Sequence, residues 1–314
     1  MIGTVKLRHY IALAVIAVVG SLLALSTSAS AQQADSISLN VSPTVIELDA
    51  NKGEQLQGSF KIVNGSDIAL DLTATPKNFT PAGEDGGVSI TEDDTTYSLA
   101  RWVTITPQTT NVAARGSQIF EYTINVPADA EPGGHFGSLI VATEPVQIDQ
   151  TGPAVTQEVG PLVLVRIAGD TFQEASIVEF ATEKNIQEKG PITFSTRVEN
   201  TGNVHFKPRG TIEIKNMFGS VVTNIDLEEK NVLPGSIRKL VNDWSPTGLT
   251  AGRYTAQLTL VYGVDDTIVT ASTSFIVFPY KTIIPLTILL IIILYMGIKN
   301  RDRIIKAIQV LKNG

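Results

Sequence analysis

The side chains that could do chemistry are few. Histidine occurs only at His9, His135 and His205, and cysteine is absent. That removes thiolate zinc sites, disulfides and cysteine nucleophiles, and leaves too little imidazole for a histidine-built metal or acid/base centre. His135 sits in the glycine-rich turn Pro132-Gly133-Gly134-His135-Phe136, and His205 follows Asn203-Val204 at a strand or turn edge. Both read as turn residues rather than catalytic bases. The acid pairs Asp93-Asp94 and Asp265-Asp266 could offer oxygens to Ca²⁺, but the D-x-[DN]-x-[DN]-G loop spacing is missing. H-E-x-x-H, G-x-S-x-G, P-loop and G-x-G-x-x-G signatures are missing too. A glycosidase needs two opposed carboxylates, and nothing in the sequence selects a pair. The expectation is a protein that is not an enzyme, with no catalytic residue, no metal and no cofactor. Trp102 and Trp244, the two tryptophans, are expected in cores. Asn40, Asn64 and Asn78 open N-x-[ST] patterns, a weak glycosylation signal.

The elements that would position a binding surface are β-strands. Short runs of β-branched and apolar residues recur from Ile37 to Val277, separated by turn residues, and no amphipathic helix stands out between Gln32 and Tyr280. In Phe120-Glu121-Tyr122-Thr123-Ile124-Asn125-Val126 the apolar side chains fall on one face and the polar ones on the other. Such strands cover a core on one side, so they pair into sandwiches. A first set runs to Ile167 and a second begins at Ala175, with a boundary near Asp170. The two share a grammar. Phe60 to Asn64-Gly65 matches Phe194 to Asn200-Thr-Gly202, and Gly133-Gly134-His135-Phe136 matches Gly252-Arg253-Tyr254 at the start of a strand. Lys77 to Arg101 stands apart, with Pro81, Gly83, Gly86, Gly87 and the acids Glu84, Asp85, Glu92, Asp93 and Asp94. It reads either as a long functional loop or as a solvated hairpin.

The ends decide the compartment. Lys6 and Arg8, the apolar run Ile11 to Leu25, and Ala29-Ser30-Ala31 form a secretory signal over residues 1–31; an uncleaved anchor is the alternative. Residues 281–298 form a second apolar stretch, followed by a basic tail at 299–314 with Lys299, Arg301, Arg303, Lys306 and Lys312 against Asp302. Positive charge after a span marks the cytoplasmic side. A buried core helix would lack such flanks. Ile304, Ile305, Ile308 and Leu311 share one face of the tail, which suits the inner leaflet. Residues 32–280 hold 16 of the 24 basic residues and 30 of the 31 acids, a net charge near −14 against −7 for the whole chain. That sign argues against nucleic acid and against anionic lipid headgroups as ligands of the external part.

Ser42-Pro43-Thr44-Val45-Ile46-Glu47-Leu48, Gly53 and Gly58-Ser-Phe60-Lys-Ile-Val63-Asn64 resemble the opening of bacterial WxL-interacting proteins. Tyr122-Thr-Ile-Asn-Val126-Pro127-Ala-Asp129-Ala-Glu-Pro132-Gly133-Gly134-His135-Phe136-Gly137 is similar to a later motif of the same family, and Val159-Gly160-Pro161 to Gly169 to its closing strand. The resemblance covers residues 36–170. It implies a first domain associated with peptidoglycan and a second that binds WxL-domain proteins at the cell wall. Residues 171–278 depart from the family pattern and look like a plain immunoglobulin-like module. The opening also resembles pilus chaperones, which are soluble and lack a terminal anchor.

The expected fold is therefore all-β, with two immunoglobulin-like β-sandwich domains in tandem at 32–170 and 171–278. A signal peptide precedes them and one transmembrane helix follows. The expected function is non-enzymatic binding of peptidoglycan or a cell-surface protein, from a bacterial membrane anchor. Gly133, Gly134, His135 and Phe136 are the candidate ligand-binding residues, because they carry the family motif. A spacer or assembly subunit without its own ligand, and a hydrolase on a β scaffold, are the rival readings.

Overall fold

The computed structural model describes residues 37–146, 154–188, 190–247 and 251–301. The signal sequence and the tail beyond Arg301 lie outside the described residues. Eleven strands precede Ala168: β1 (Leu39–Ser42), β2 (Val45–Ala50), β3 (Gln55–Asn64), β4 (Leu70–Ala82), β5 (Gly87–Thr91), β6 (Val103–Thr106), β7 (Thr109–Val112), β8 (Ser117–Asn125), β9 (Gly133–Thr143), β10 (Glu158–Val159) and β11 (Leu162–Ile167). One sheet has the order β1-β3-β8-β6. The facing sheet has the order β2-β11-β9-β4-β5, with β7 added to β4 and β10 to β9. The alternation read in residues 120–126 holds: Phe120, Tyr122, Ile124 and Val126 are all buried, and the rings of Phe60 and Phe120 stack at 5.4 Å across the β3–β8 pair. β9 and β11 do not alternate in this way. They are buried on both faces, because Phe136 and Leu164 join Phe79 in a small apolar cluster on the outer face of the sheet.

Eight strands follow: β12 (Ala175–Thr182), β13 (Ile186–Gln187), β14 (Ile192–Asn200), β15 (Arg209–Asn216), β16 (Val221–Asp226), β17 (Ile237–Trp244), β18 (Gly252–Tyr262) and β19 (Thr267–Val277). They form a three-stranded sheet, β12-β14-β17, against a five-stranded one, β13-β19-β18-β15-β16. Phe194, Phe275, Trp244 and Tyr254 fill the space between, with ring centroids 5.3–6.0 Å apart. Trp244 is thus a core residue, while Trp102 is half-buried at the rim of the first core. The chain is all-β with two sandwiches of immunoglobulin type.

The acid-rich segment Lys77 to Arg101 is not a loop for most of its length. β4 runs on to Ala82 and returns as β5, with Asn78 opposite Thr91 and Ala82 opposite Gly87. Gly83 and Gly86 make the turn with φ of +66° and +86°, a backbone that favours glycine. Glu84 and Asp85 fall in the turn, and Glu92, Asp93 and Asp94 follow β5.

The shared grammar has a physical basis. At the end of β3, the buried Asn64 amide donates to the carbonyls of Ile68, Val112 and Ala113, while its Oδ1 accepts the Ser66 N–H at 2.8 Å. At the end of β14, Asn200 repeats the arrangement: its amide donates to Val204 and Val232 carbonyls at 2.9 Å each, and Oδ1 accepts the Gly202 N–H. Both side chains are fully enclosed. Asn64 is therefore no glycosylation acceptor in the folded chain. Asn78 is also buried, with Oδ1 accepting the N–H groups of Leu99 and Ala100. Asn40 is exposed. The strand-opening glycines match as well, since Gly133 begins β9 at φ +129° and Gly252 begins β18 at φ +137°.

After β19, two residues lead into α1 (Tyr280–Lys299), a helix of 20 residues with no buried side chain. At 1.5 Å per residue it is about 30 Å long, the thickness of a hydrocarbon core. It is long and apolar enough to cross a membrane.

Truncating either buried asparagine strands several carbonyls in the interior, a cost of about 1–3 kcal/mol for each group left unpaired. Asn64→Ala is expected to lower the urea midpoint of the first sandwich, and Asn200→Ala that of the second. Equilibrium unfolding followed separately by Trp102 and Trp244 fluorescence, each in a variant lacking the other tryptophan, checks this. Unchanged midpoints would remove the role given to these amides.

Candidate functional site

The two sandwiches meet along a seam, and the four residues of the family-like motif lie on or beside it. Gly134 N–H donates to the Asn203 carbonyl of the second sandwich at 2.8 Å. A Cβ on Gly133 would stand 2.8 Å from that same oxygen, so the close approach requires glycine. His135 faces the other way. Its Nε2–H donates to the Glu131 carbonyl at 2.9 Å, and its ring lies 4.4 Å from that of Trp102. Phe136 packs against Phe79 and Tyr97 and meets the His205 ring edge-on at 5.9 Å. All four are buried, so the structure gives them a joining role between and within the sandwiches.

The seam is held by polar groups that the sequence did not single out. Asn203 ties the connection from Ala168 to Glu174: its Oδ1 accepts the Phe172 N–H at 2.9 Å and its Nδ2 donates to the Asp170 carbonyl at 3.0 Å. On β2, the Glu47 carboxylate accepts from Lys207 Nζ and Asn231 Nδ2, each at 2.7 Å. Burial alone would raise the Glu47 carboxyl, but these hydrogen bonds from Lys207 and Asn231 outweigh it and hold the group below the usual carboxylate range. At the tip of the β4–β5 hairpin, Glu84 takes the fork of Arg197, Nε at 2.7 Å and Nη2 at 2.5 Å. That guanidinium keeps the Glu84 carboxyl low, and the carboxylate in turn raises Arg197. The Lys239 N–H of β17 donates to the Glu84 carbonyl at 2.8 Å. The tip is therefore docked on the second sandwich rather than solvated.

Between the hairpin and the seam lies a cleft of about 350 Å³. Val45 of β2, Val88 of β5 and Leu162 of β11 form its apolar wall, and Lys207, Asn231 and Arg238 face it from the second sandwich. Arg238 packs its guanidinium against Gly86, whose φ of +86° favours glycine. Arg238 Nε and Asn231 Oδ1 are both buried without a hydrogen-bond partner. β2 also ends its sheet, and among the described residues no strand covers its outer edge.

Among the described residues, the acid pairs are used elsewhere. Asp94 pairs with Arg101 and accepts from Asn78, and Asp266 pairs with Arg209. No group of three or more His, Asp or Glu side chains converges as a metal site among the described residues.

No family model and no curated protein matches the chain. Solved structures do. The CupB2 chaperone of Pseudomonas aeruginosa is 12% identical with a TM-score of 0.37, covering 75% of this chain and 100% of that one. The E. coli chaperone DraB is 12% identical at 0.36, over 77% and 98%. A chain of the Salmonella enterica SafA pilin–SafB chaperone complex is 10% identical at 0.38, over 77% and 96%. A likeness at this level assigns no function.

His205 supplies a test of the seam. It is 4% exposed, and burial, aided by the Arg166 charge, lowers its pKa to about 4 despite the acids Glu47 and Asp49 nearby. The folded chain then binds fewer protons than the unfolded one between about pH 6.5 and pH 4. Stability should be full above pH 6.5 and fall as the pH drops through that window, by up to about 3 kcal/mol. Denaturant unfolding at pH 7.0, 6.0 and 5.0 should show the decline, and His205→Phe should flatten it. An equal decline in the variant would place its origin elsewhere.

Proposed function

We propose that this protein is a non-enzymatic, membrane-anchored protein of the bacterial cell surface, and that it holds an extended segment of a protein partner in the cleft at the seam. The observation that carries this reading is the open edge of β2 beside a cleft walled by Val45, Val88 and Leu162. A strand laid along that edge gains main-chain hydrogen bonds and buries alternate side chains on Val45 and Leu162. The helix α1 supports the anchoring, and the net charge of residues 32–280 suits an external location. The resemblance to WxL-interacting proteins adds a second reading, in which the first sandwich binds peptidoglycan.

Photo-crosslinking in intact cells separates them. A photoreactive residue in place of Lys230, which lines the cleft, should give a discrete protein adduct. Val45→Glu, which puts a carboxylate on the exposed apolar wall, should abolish the adduct while leaving the amount of chain in the membrane unchanged. Isolated sacculi should then not pull down the full-length protein in detergent. Pelleting with sacculi, without a protein adduct, would replace the protein-partner reading by the wall-binding one. Neither result would leave a spacer.

A further inference from the structure

The register of the second sandwich fixes which of its ends faces α1. β18 and β19 pair from Gly252 opposite Val277 to Tyr262 opposite Thr267. β15 pairs with β18 so that Asn216 lies opposite Tyr254, and the turn from β15 to β16 falls between Asn216 and Val221. That turn therefore lies at the same end of the sheet as Val277, from which Phe278 and Pro279 lead into α1. The opposite end, about 35 Å away along β18, is the one that meets the first sandwich, where Gly134 N–H donates to the Asn203 carbonyl between β14 and β15.

The turn presents apolar side chains outward. Met217 is 62% exposed and Phe218 85%, the highest value among the exposed large hydrophobic residues. The turn is nevertheless ordered by its own bonds. Asn216 Oδ1 accepts the N–H groups of Phe218 and Ser220 at 3.0 and 3.1 Å, Gly219 N–H donates to the Asn216 carbonyl, and Asn216 N–H donates to the Ser220 carbonyl. Polar groups satisfied within the turn lower the cost of taking it out of water. Phe278 and Tyr280 are exposed at the same end. Lys281 pairs with Glu188 at 2.5 Å and Lys215 with Glu213 at 2.5 Å, while Glu183, Lys184 and Arg253, the last opposite Ile276, are exposed charges at this end. An apolar tip with aromatic neighbours and a cation matches the headgroup boundary of a bilayer.

We propose that the Asn216–Ser220 turn dips Met217 and Phe218 into the outer leaflet beside α1, so that the second sandwich stands on the membrane through two contacts and its axis is held. The proposal rests on the reading that α1 spans the membrane. Two contacts restrain tilt in a way that one helix and a two-residue connection do not, and they hold the seam cleft at a set height above the lipid.

The chain has no cysteine, so single-cysteine probes need no background removal. The full-length protein would be reconstituted in phosphatidylcholine–phosphatidylglycerol nanodiscs and labelled with an environment-sensitive fluorophore at Ser220→Cys, Leu290→Cys or Ile119→Cys. Lipids brominated near the headgroup should quench the Ser220 position, lipids brominated deep in the chain should quench the Leu290 position, and neither should quench the Ile119 position. Adding Phe218→Ser should remove the quenching at position 220 and leave that at 290 intact, whereas Phe218→Trp should preserve it. Quenching at 290 with none at 220 would overturn the turn contact and leave the anchor standing. No quenching at 290 would overturn the anchor and the proposal with it.

Discussion

Glu84 ties the first sandwich to the second twice over: its carboxylate takes the two-pronged guanidinium of Arg197, and its carbonyl accepts the Lys239 N–H. That attachment fixes where the β4–β5 hairpin sits against the second sandwich. The β4–β5 hairpin can reach the second sandwich only because Gly83 and Gly86 turn it tightly, and once docked it becomes one wall of the cleft. Glu47 with Lys207 and Asn231 closes the other side. A seam built from charge-assisted hydrogen bonds and a short tethered connection restrains the hinge that a two-domain chain would otherwise have.

Each sandwich also carries the same internal fastener. A strand leaving the core must turn back, and the turn leaves carbonyls with no ladder partner. Asn64 and Asn200 supply a side-chain amide at that point and use nearly all of its hydrogen-bonding capacity. The equivalence extends to Gly133 and Gly252, which open β9 and β18 with the same unusual backbone. In the first sandwich that opening is diverted to a second purpose, since Gly133 and Gly134 admit Asn203 from the neighbouring sandwich. A repeated sandwich plan thus supplies both the cores and, at one copy of the turn, the joint between them.

Function in this arrangement belongs to surfaces rather than to reactive groups. The cleft offers an apolar wall and a free strand edge. The far end offers a turn whose polar atoms are spent internally and whose apolar atoms are not. Both features have the same logic: where backbone groups are paired or await pairing decides what that surface can accept.

Strand alternation in residues 120–126, the all-β class and an apolar helix before a basic tail were legible in the chain itself, because period-two burial and a long uncharged run are local properties. The Asn-Gly and Gly-x-aromatic matches between the halves were legible for the same reason. The hairpin from Asn78 to Thr91 was obscured, since Pro81, Gly83, Gly86 and Gly87 interrupt its run of strand-forming residues. Gly133, Gly134, His135 and Phe136 stood out as a motif, but only packing shows that they face inward, three of them toward Asn203 or His205. The seam partners Glu47, Glu84, Arg197, Asn203 and Arg238 lie up to more than a hundred residues apart, and nothing in local spacing marks a pair made across two sandwiches. Composition and periodicity determined what kind of layers form; which of their edges and turns meet was decided by tertiary contact, because it depends on where chain segments distant in sequence come to rest.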